Sequence, residues 1–221
     1  MKLFFRNNGL TLAFLFLFIV SIVGQYLTGL HEYNDDQVQH GRSAVGYVEY
    51  LGEGHFIEAT FENWESEFLQ MGMFVVLTIF LFQKGSSESK VPGIIDRVDL
   101  IPERARTDPR SPWPVRRGGW ILTLYQNSLS LVFLLLFALS FALHAYGSLL
   151  EYNQQQAEHG GAALSLIQFL GTSRFWFESF QNWQSEFLSI GAMVYLSVYL
   201  RQKGSPESKP VDAANDETGP A

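Results

Sequence analysis

Three pairs of ionisable residues recur at a constant offset of 119 positions: Glu32 with Glu151, His40 with His159, and Glu67 with Glu186. Their types could do chemistry. Imidazole titrates near neutrality and carboxylates are hard oxygen ligands, so a Glu/His set gathered at one end of a helix bundle can hold a divalent metal or relay protons. Glu32 and His40 lie about two turns apart if their segment is one helix, with Asp36 between them in the first copy only. Glu67 and Glu186 stand at the start of apolar runs, where an ionisable side chain is costly and usually faces protein or water. Helix-end roles account for the same residues more simply. His40-Gly41 and His159-Gly160 suit a helix C-terminus, where a cation and a glycine are both favoured, and Glu67 and Glu186 suit a first turn, where the helix dipole favours an acid.

Other chemistries find little support. His144 is deep in an apolar run at the position of Gln25, and a lone histidine there is expected to pack rather than to ligate haem. No Ser-His-Asp order, HExxH or dinucleotide fingerprint is present. The two Lys-Gly-Ser-x-Glu-Ser-Lys strings lack the strand, the second glycine and the Gly-Lys-Ser/Thr order of a phosphate-binding loop. They are expected instead to hold a Schellman-type helix stop at Gly85 and Gly204. With no cysteine, disulfides and thiolate metal sites are excluded, and a net charge of −7 argues against nucleic acid as a partner. No catalytic residue, cofactor or metal is predicted.

The elements that must position these residues are set by four apolar runs, since a helix needs about 20 mostly apolar residues to cross the hydrocarbon of a bilayer. Leu10–Leu30 has no charged residue, and Leu129–Leu150 carries only His144. Phe68–Phe82 and Phe187–Leu200 are shorter, and become full spans when counted from Trp64 to Lys84 and from Trp183 to Lys203, as interfacial aromatics and snorkelling lysines allow. A signal peptide is not expected at the N-terminus, because no small-x-small site comes after the first run and the same segment recurs inside the chain.

That recurrence is ungapped. Between Phe5 and Lys90, 37 of 86 positions are identical to those 119 residues later, more than shared apolar composition explains. Polar positions are included: Glu32-Tyr33-Asn34 matches Glu151-Tyr152-Asn153, and Asn63-Trp64 with Ser66-Glu67-Phe68-Leu69 matches Asn182-Trp183 with Ser185-Glu186-Phe187-Leu188. The expected fold is therefore all-α: four transmembrane helices from two tandem two-helix repeats. Lys and Arg fill the N-terminal, central and C-terminal segments, leaving only Arg42 and Arg174 in the two remaining loops, so both termini are expected on the cytoplasmic side and the repeats are parallel.

Within that plan, residues 1–90 form the first repeat, 91–119 a flexible cytoplasmic linker rich in proline, 120–209 the second repeat and 210–221 a disordered tail. In the outer loops Ala44–Leu51 and Ala163–Leu170 carry an apolar helical stripe, which predicts a short interfacial helix ended by Gly52 or Gly171. Asn63 and Asn182 are expected to cap the second and fourth spans, and Gly72 and Gly191 to let helices approach closely.

The Asn63–Gln70 string (N-W-E-S-E-F-L-Q), Gln83–Lys90 (Q-K-G-S-S-E-S-K), Arg6–Leu10 (R-N-N-G-L) and Gly24-Gln25 resemble an uncharacterised family of small bacterial membrane proteins catalogued as a domain of unknown function. The resemblance implies a bacterial cytoplasmic membrane and brings no reaction or substrate. The residues themselves favour a non-enzymatic protein of the lipid bilayer that acts by association, as a homo-oligomer or with a membrane partner protein. The alternative is a small transporter or proton/cation-conducting protein using the repeated Glu and His residues.

Overall fold

A computed structural model, in which residues 2–219 are described, has helices joined by turns and loops, with no strand among those residues. The long helices are α1 (Lys2–Gln39), α3 (Gly54–Phe80), α6 (Ser128–Glu158) and α8 (Ser173–Leu196); between them lie α2 (Tyr47–Tyr50), α4 (Trp113–Arg117), α5 (Gly119–Gln126) and α7 (Leu166–Phe169). Two of these, α1 and α6, are long and apolar enough to cross a membrane. None of the most apolar stretch of α1 is buried, and only 17% of that of α6; Leu10, Phe14 and Phe16 are 73%, 65% and 64% exposed. The apolar runs of α3 and α8 are shorter because their N-terminal halves are polar and amphipathic.

Those polar halves also move the helix starts. Asn63 and Asn182 are not caps: α3 already begins at Gly54 and α8 at Ser173, since no breaker interrupts the helical period after Gly52 and Gly171. The expected interfacial helices shrink to one turn each, α2 and α7, closed where Gly52 N donates to Glu49 O and Gly171 N to Gln168 O.

The chain divides into two compact units, Met1–Phe61 with Ala142–Phe175, and Glu62–Phe141 with Trp176–Ala221. In the first unit each outer loop is tied to its helix by one asparagine. Asn34 Nδ2 donates to Val45 O at 3.0 Å and Asn34 Oδ1 accepts from Val45 N at 2.8 Å; Asn153 makes the same two bonds to Leu164, at 3.0 and 2.8 Å. Behind each clamp is an aromatic stack: Tyr33–Tyr50 and Tyr50–Phe56 rings at 5.6 and 5.5 Å, and Tyr152–Phe169 and Phe169–Phe175 rings at 5.4 and 5.8 Å. These are the residues that bury the loops, with Tyr50, Phe169 and Phe175 almost fully enclosed.

Glycines bring α3 and α6 together in this unit. A Cβ on Gly147 would lie 2.5 Å from Glu58 N, and one on Gly54 would lie 2.7 Å from Glu151 N. In the second unit Gly72 also marks a close approach, its would-be Cβ 3.3 Å from Phe133 Cβ, but Gly191 has nothing within 4 Å. The expectation of a tight crossing thus holds for Gly72 and fails for Gly191, because the residues around the second glycine leave that face open.

The segments expected to be a flexible linker and a disordered tail have local structure. The linker contains 3-10 turns at Arg97–Asp99 and Pro102–Ala105 as well as α4. The tail is held by Lys209, whose Nζ donates to Ala214 O, Asn215 O and Glu217 O at 3.0, 3.1 and 3.0 Å. Polar composition predicts disorder because such a segment cannot bury apolar surface; here a buried ammonium orders it through backbone carbonyls instead.

Candidate functional site

In the first unit a cavity of about 580 Å³ is lined by Glu32, Glu151, His31, His55, Asp35 and Asp36 among others. Glu32 and Glu151, 119 residues apart in sequence, meet at this one cavity. His31 Nε2 lies 3.8 Å from the Asp35 carboxylate, one turn on. Glu151 Oε1 accepts from Gln155 Nε2 at 3.1 Å, while its Oε2 is buried with no hydrogen-bond partner among the described residues. No lysine or arginine lines the cavity, so its field favours cations. Among the described residues, however, no group of three or more His, Asp or Glu is placed to hold a metal ion.

Two tyrosines sit beside the carboxylates. Tyr33 Oη donates to Glu53 Oε2 at 2.9 Å with Gln154 Oε1 at 3.2 Å, and burial followed by the Glu53 carboxylate pushes its phenol well above the ordinary value. Tyr50 Oη shares a proton with His55 Nδ1 at 2.8 Å, and burial, with the Glu32 and Glu151 charges, pushes its phenol up to about 12. Both stay protonated at neutral pH, and Tyr33 serves as a hydrogen-bond donor to the Glu53 carboxylate. His55 is not among the sequence-predicted candidates because its counterpart is Arg174, and repetition is the signal that selects those candidates.

His40 and His159 do not line this cavity. Each turns Nδ1 back to the helix end that carries it, to Asp36 O at 3.0 Å and to Gln155 O at 2.8 Å. The glycines behind them have φ of +73° and +69°. Arg42 N donates to Gln37 O and Gly41 N to Val38 O, the paired bonds of a Schellman stop; Gly161 N and Gly160 N make the corresponding bonds to Gln156 O and Ala157 O. The two outer-loop arginines are engaged as well: Arg42 pairs with Glu158 at 2.8 Å, and Arg174 donates to Gln155 Oε1 at 2.5 Å.

In the second unit Glu67 is exposed and Glu186 half-buried, close enough that the Glu67 charge acts on Glu186. Beside them Gln70 Nε2 donates to Glu186 O at 3.0 Å and to Ser189 Oγ, its own counterpart, at 3.1 Å. The more enclosed carboxylate is Glu65, fully buried and accepting from Trp183 Nε1 at 2.8 Å. Repetition does not select Glu65 either, because it is Gln184 in the second copy. That departure from the repeat is the available signal.

The Lys-Gly-Ser-x-Glu-Ser-Lys strings come after the ends of α3 and α8 rather than capping them: the helices stop at Phe80 and Leu196, and each string closes on itself as a loop. Gly85 and Gly204 take φ of +86° and +87° inside a turn closed by Ser86 N to Gln83 O and Ser205 N to Gln202 O. The repeated serines satisfy backbone amides. Ser89 Oγ accepts from Gln83 N and Ser86 Oγ from Glu88 N, at 2.9 and 3.1 Å; Ser208 and Ser205 do the same for Gln202 N and Glu207 N at 2.8 and 3.2 Å. The closing lysines pin the next segment of chain, Lys90 through Asp99 at 2.8 Å and Lys209 through the tail carbonyls. These strings are structural loops, with no anion cradle needed to explain them.

No curated protein and no solved structure matches the chain. A family profile described as a domain of unknown function, DUF6766, matches residues 1–220, and the chain belongs to that family.

Proposed function

We propose that the chain is a multi-pass protein of the bacterial cytoplasmic membrane, with four spans from two parallel repeats, that acts without catalysis by associating with copies of itself or with a membrane partner protein. The observation that carries this reading is the wholly unburied apolar stretch of α1: a soluble protein would enclose such a surface, whereas lipid or another membrane helix covers it without cost. Contacts between counterparts, such as Gln70 with Ser189, support the repeat architecture. A second reading, a small cation-conducting protein, draws on the cavity where Glu32 and Glu151 meet.

The topology is tested with a reporter active only in the cytoplasm. Fused after Lys209 or inserted within 96–110 it is expected to work, and near Glu53 or Thr172 to fail; the reverse pattern would overturn the orientation. Association is tested by single-molecule photobleaching of the labelled chain in lipid nanodiscs and in native membranes. Single-step bleaching in both, together with no co-purifying membrane protein, would remove it.

A further inference from the structure

Two clefts in the second unit share one wall of corresponding residues. The first, about 440 Å³, is lined by Leu77, Leu81, Gln83 and Glu88; the second, about 400 Å³, by Leu196, Leu200, Gln202 and Glu207, each 119 positions later. In each, the self-closed loop after the helix sets one carboxylate at the end of a mostly apolar hollow. Four paired lining positions differ, Gln70/Ser189, Phe74/Met193, Thr78/Ser197 and Phe82/Arg201, and the last of them changes the charge. Where the first cleft has Phe82, the second has Arg201, whose guanidinium is fixed by Val198 O, Leu200 O and Ala213 O at 3.0 to 3.1 Å. The second cleft therefore carries a balanced pair of charges and the first a single negative one.

Glu88 is otherwise poorly compensated. Its hydrogen bond from Ser87 Oγ is long, 3.4 Å. The charged groups about it are Glu207, which repels it, and Lys90, Asp96 and Asp99 on its other side, where Lys90 is already taken by Asp99 at 2.8 Å. Burial first, and the Glu207 charge second, push the Glu88 carboxyl above the ordinary carboxylate range. A half-buried carboxylate of this kind is stabilised by an arriving cation. The hollow above it is of the size that takes small ligands, and its lining of Phe74, Leu77, Phe187 and Val194 suits an apolar body.

We propose that the first cleft, and not the second, is a binding site for a lipophilic cation: an apolar or aromatic body seated between α3 and α8 with one ammonium-type or phosphonium-type charge at Glu88. The site rests on the four-span reading only for its depth in the bilayer, so a failed topology test and a failed binding test are separate results. Because the cation pairs with ionised Glu88, it competes with a proton. Binding is weak at acid pH, where Glu88 is neutral, and tightens by up to about tenfold per pH unit until the carboxyl is fully ionised.

The test is equilibrium binding of radiolabelled tetraphenylphosphonium to the full chain in nanodiscs, with tetraphenylborate as the same shape bearing the opposite charge. Expected are saturable binding of about one phosphonium per chain, tighter at higher pH, and no saturable binding of the borate. Glu88→Gln and, independently, Phe82→Arg should each weaken binding about tenfold or more with helical content unchanged. Equal binding of cation and anion, full retention of affinity in Glu88→Gln, or a phospholipid chain that occupies the cleft and is not displaced by phosphonium would each overturn the proposal.

Discussion

Gly147→Leu is expected to cost the first unit about 3 kcal/mol, a large share of the stability of a small domain. A Cβ at this position would stand 2.5 Å from Glu58 N and 2.9 Å from Ile57 Cγ2. The obstacle is backbone on another helix, which cannot rotate aside as a flexible side chain would. α3 and α6 must separate, and with them the close approach of Gly54 to Glu151 N and Gly147 O. The measurement is unfolding in mixed micelles of increasing dodecyl sulfate content, followed by circular dichroism. Gly191→Ala is the control: with nothing within 4 Å of its would-be Cβ, it should stay within about 0.5 kcal/mol of the parent. Equal unfolding midpoints for the two variants would show that the α3–α6 approach is dispensable.

Lys209→Met is expected to release the C-terminal segment while leaving the helices in place. Lys209 is only 2% exposed, and its ammonium supplies hydrogen bonds to three carbonyls. Methionine keeps the length and removes all three donors, leaving carbonyls that cost about 1–3 kcal/mol each if they stay buried. The segment escapes that cost by leaving the surface. Amides of residues 213–219, including Gly219 N, which now donates to Ser86 O, should exchange at least about tenfold faster. Lys90→Met is the informative companion, because Lys90 closes the equivalent loop through a pair with Asp99 that solvent screens, so its loss should loosen the neighbouring segment less than Lys209→Met loosens the tail. Slow exchange retained in Lys209→Met would mean that other contacts, such as Gly85 N to Thr218 Oγ1 at 2.8 Å, are enough to hold the tail.

The repeat shapes how much of the candidate sites is legible in sequence. His40-Gly41 and His159-Gly160 point to helix ends, and the structure places both there, because a histidine next to a glycine at positive φ satisfies the orphan carbonyls of a last turn locally. Glu32 and Glu151 stand out because they are repeated, and they share a cavity. By contrast Glu65, His55, Phe82 and Arg201 are places where the copies differ, and they define the most enclosed carboxylate, the Tyr50 partner and the charge difference between the two clefts. Symmetry identifies scaffold; its violations identify where the two halves have been given different chemistry.

Local order is written along the chain. Apolar runs with helical period, glycines after His40 and His159, and an internal match at 119 positions fix the helical class, the C-terminal ends of α1 and α6 and the equivalence of the loops, since each depends on neighbours within a few residues or on repetition itself. Long-range proximity is not. That Gly147 rather than Gly191 sits at a tight crossing, and that Glu88 lies at the end of an apolar hollow lined from α8 as well as α3, depend on how helices distant in sequence pack. Packing responds to the shape and charge of every facing side chain at once, which no single stretch of sequence contains.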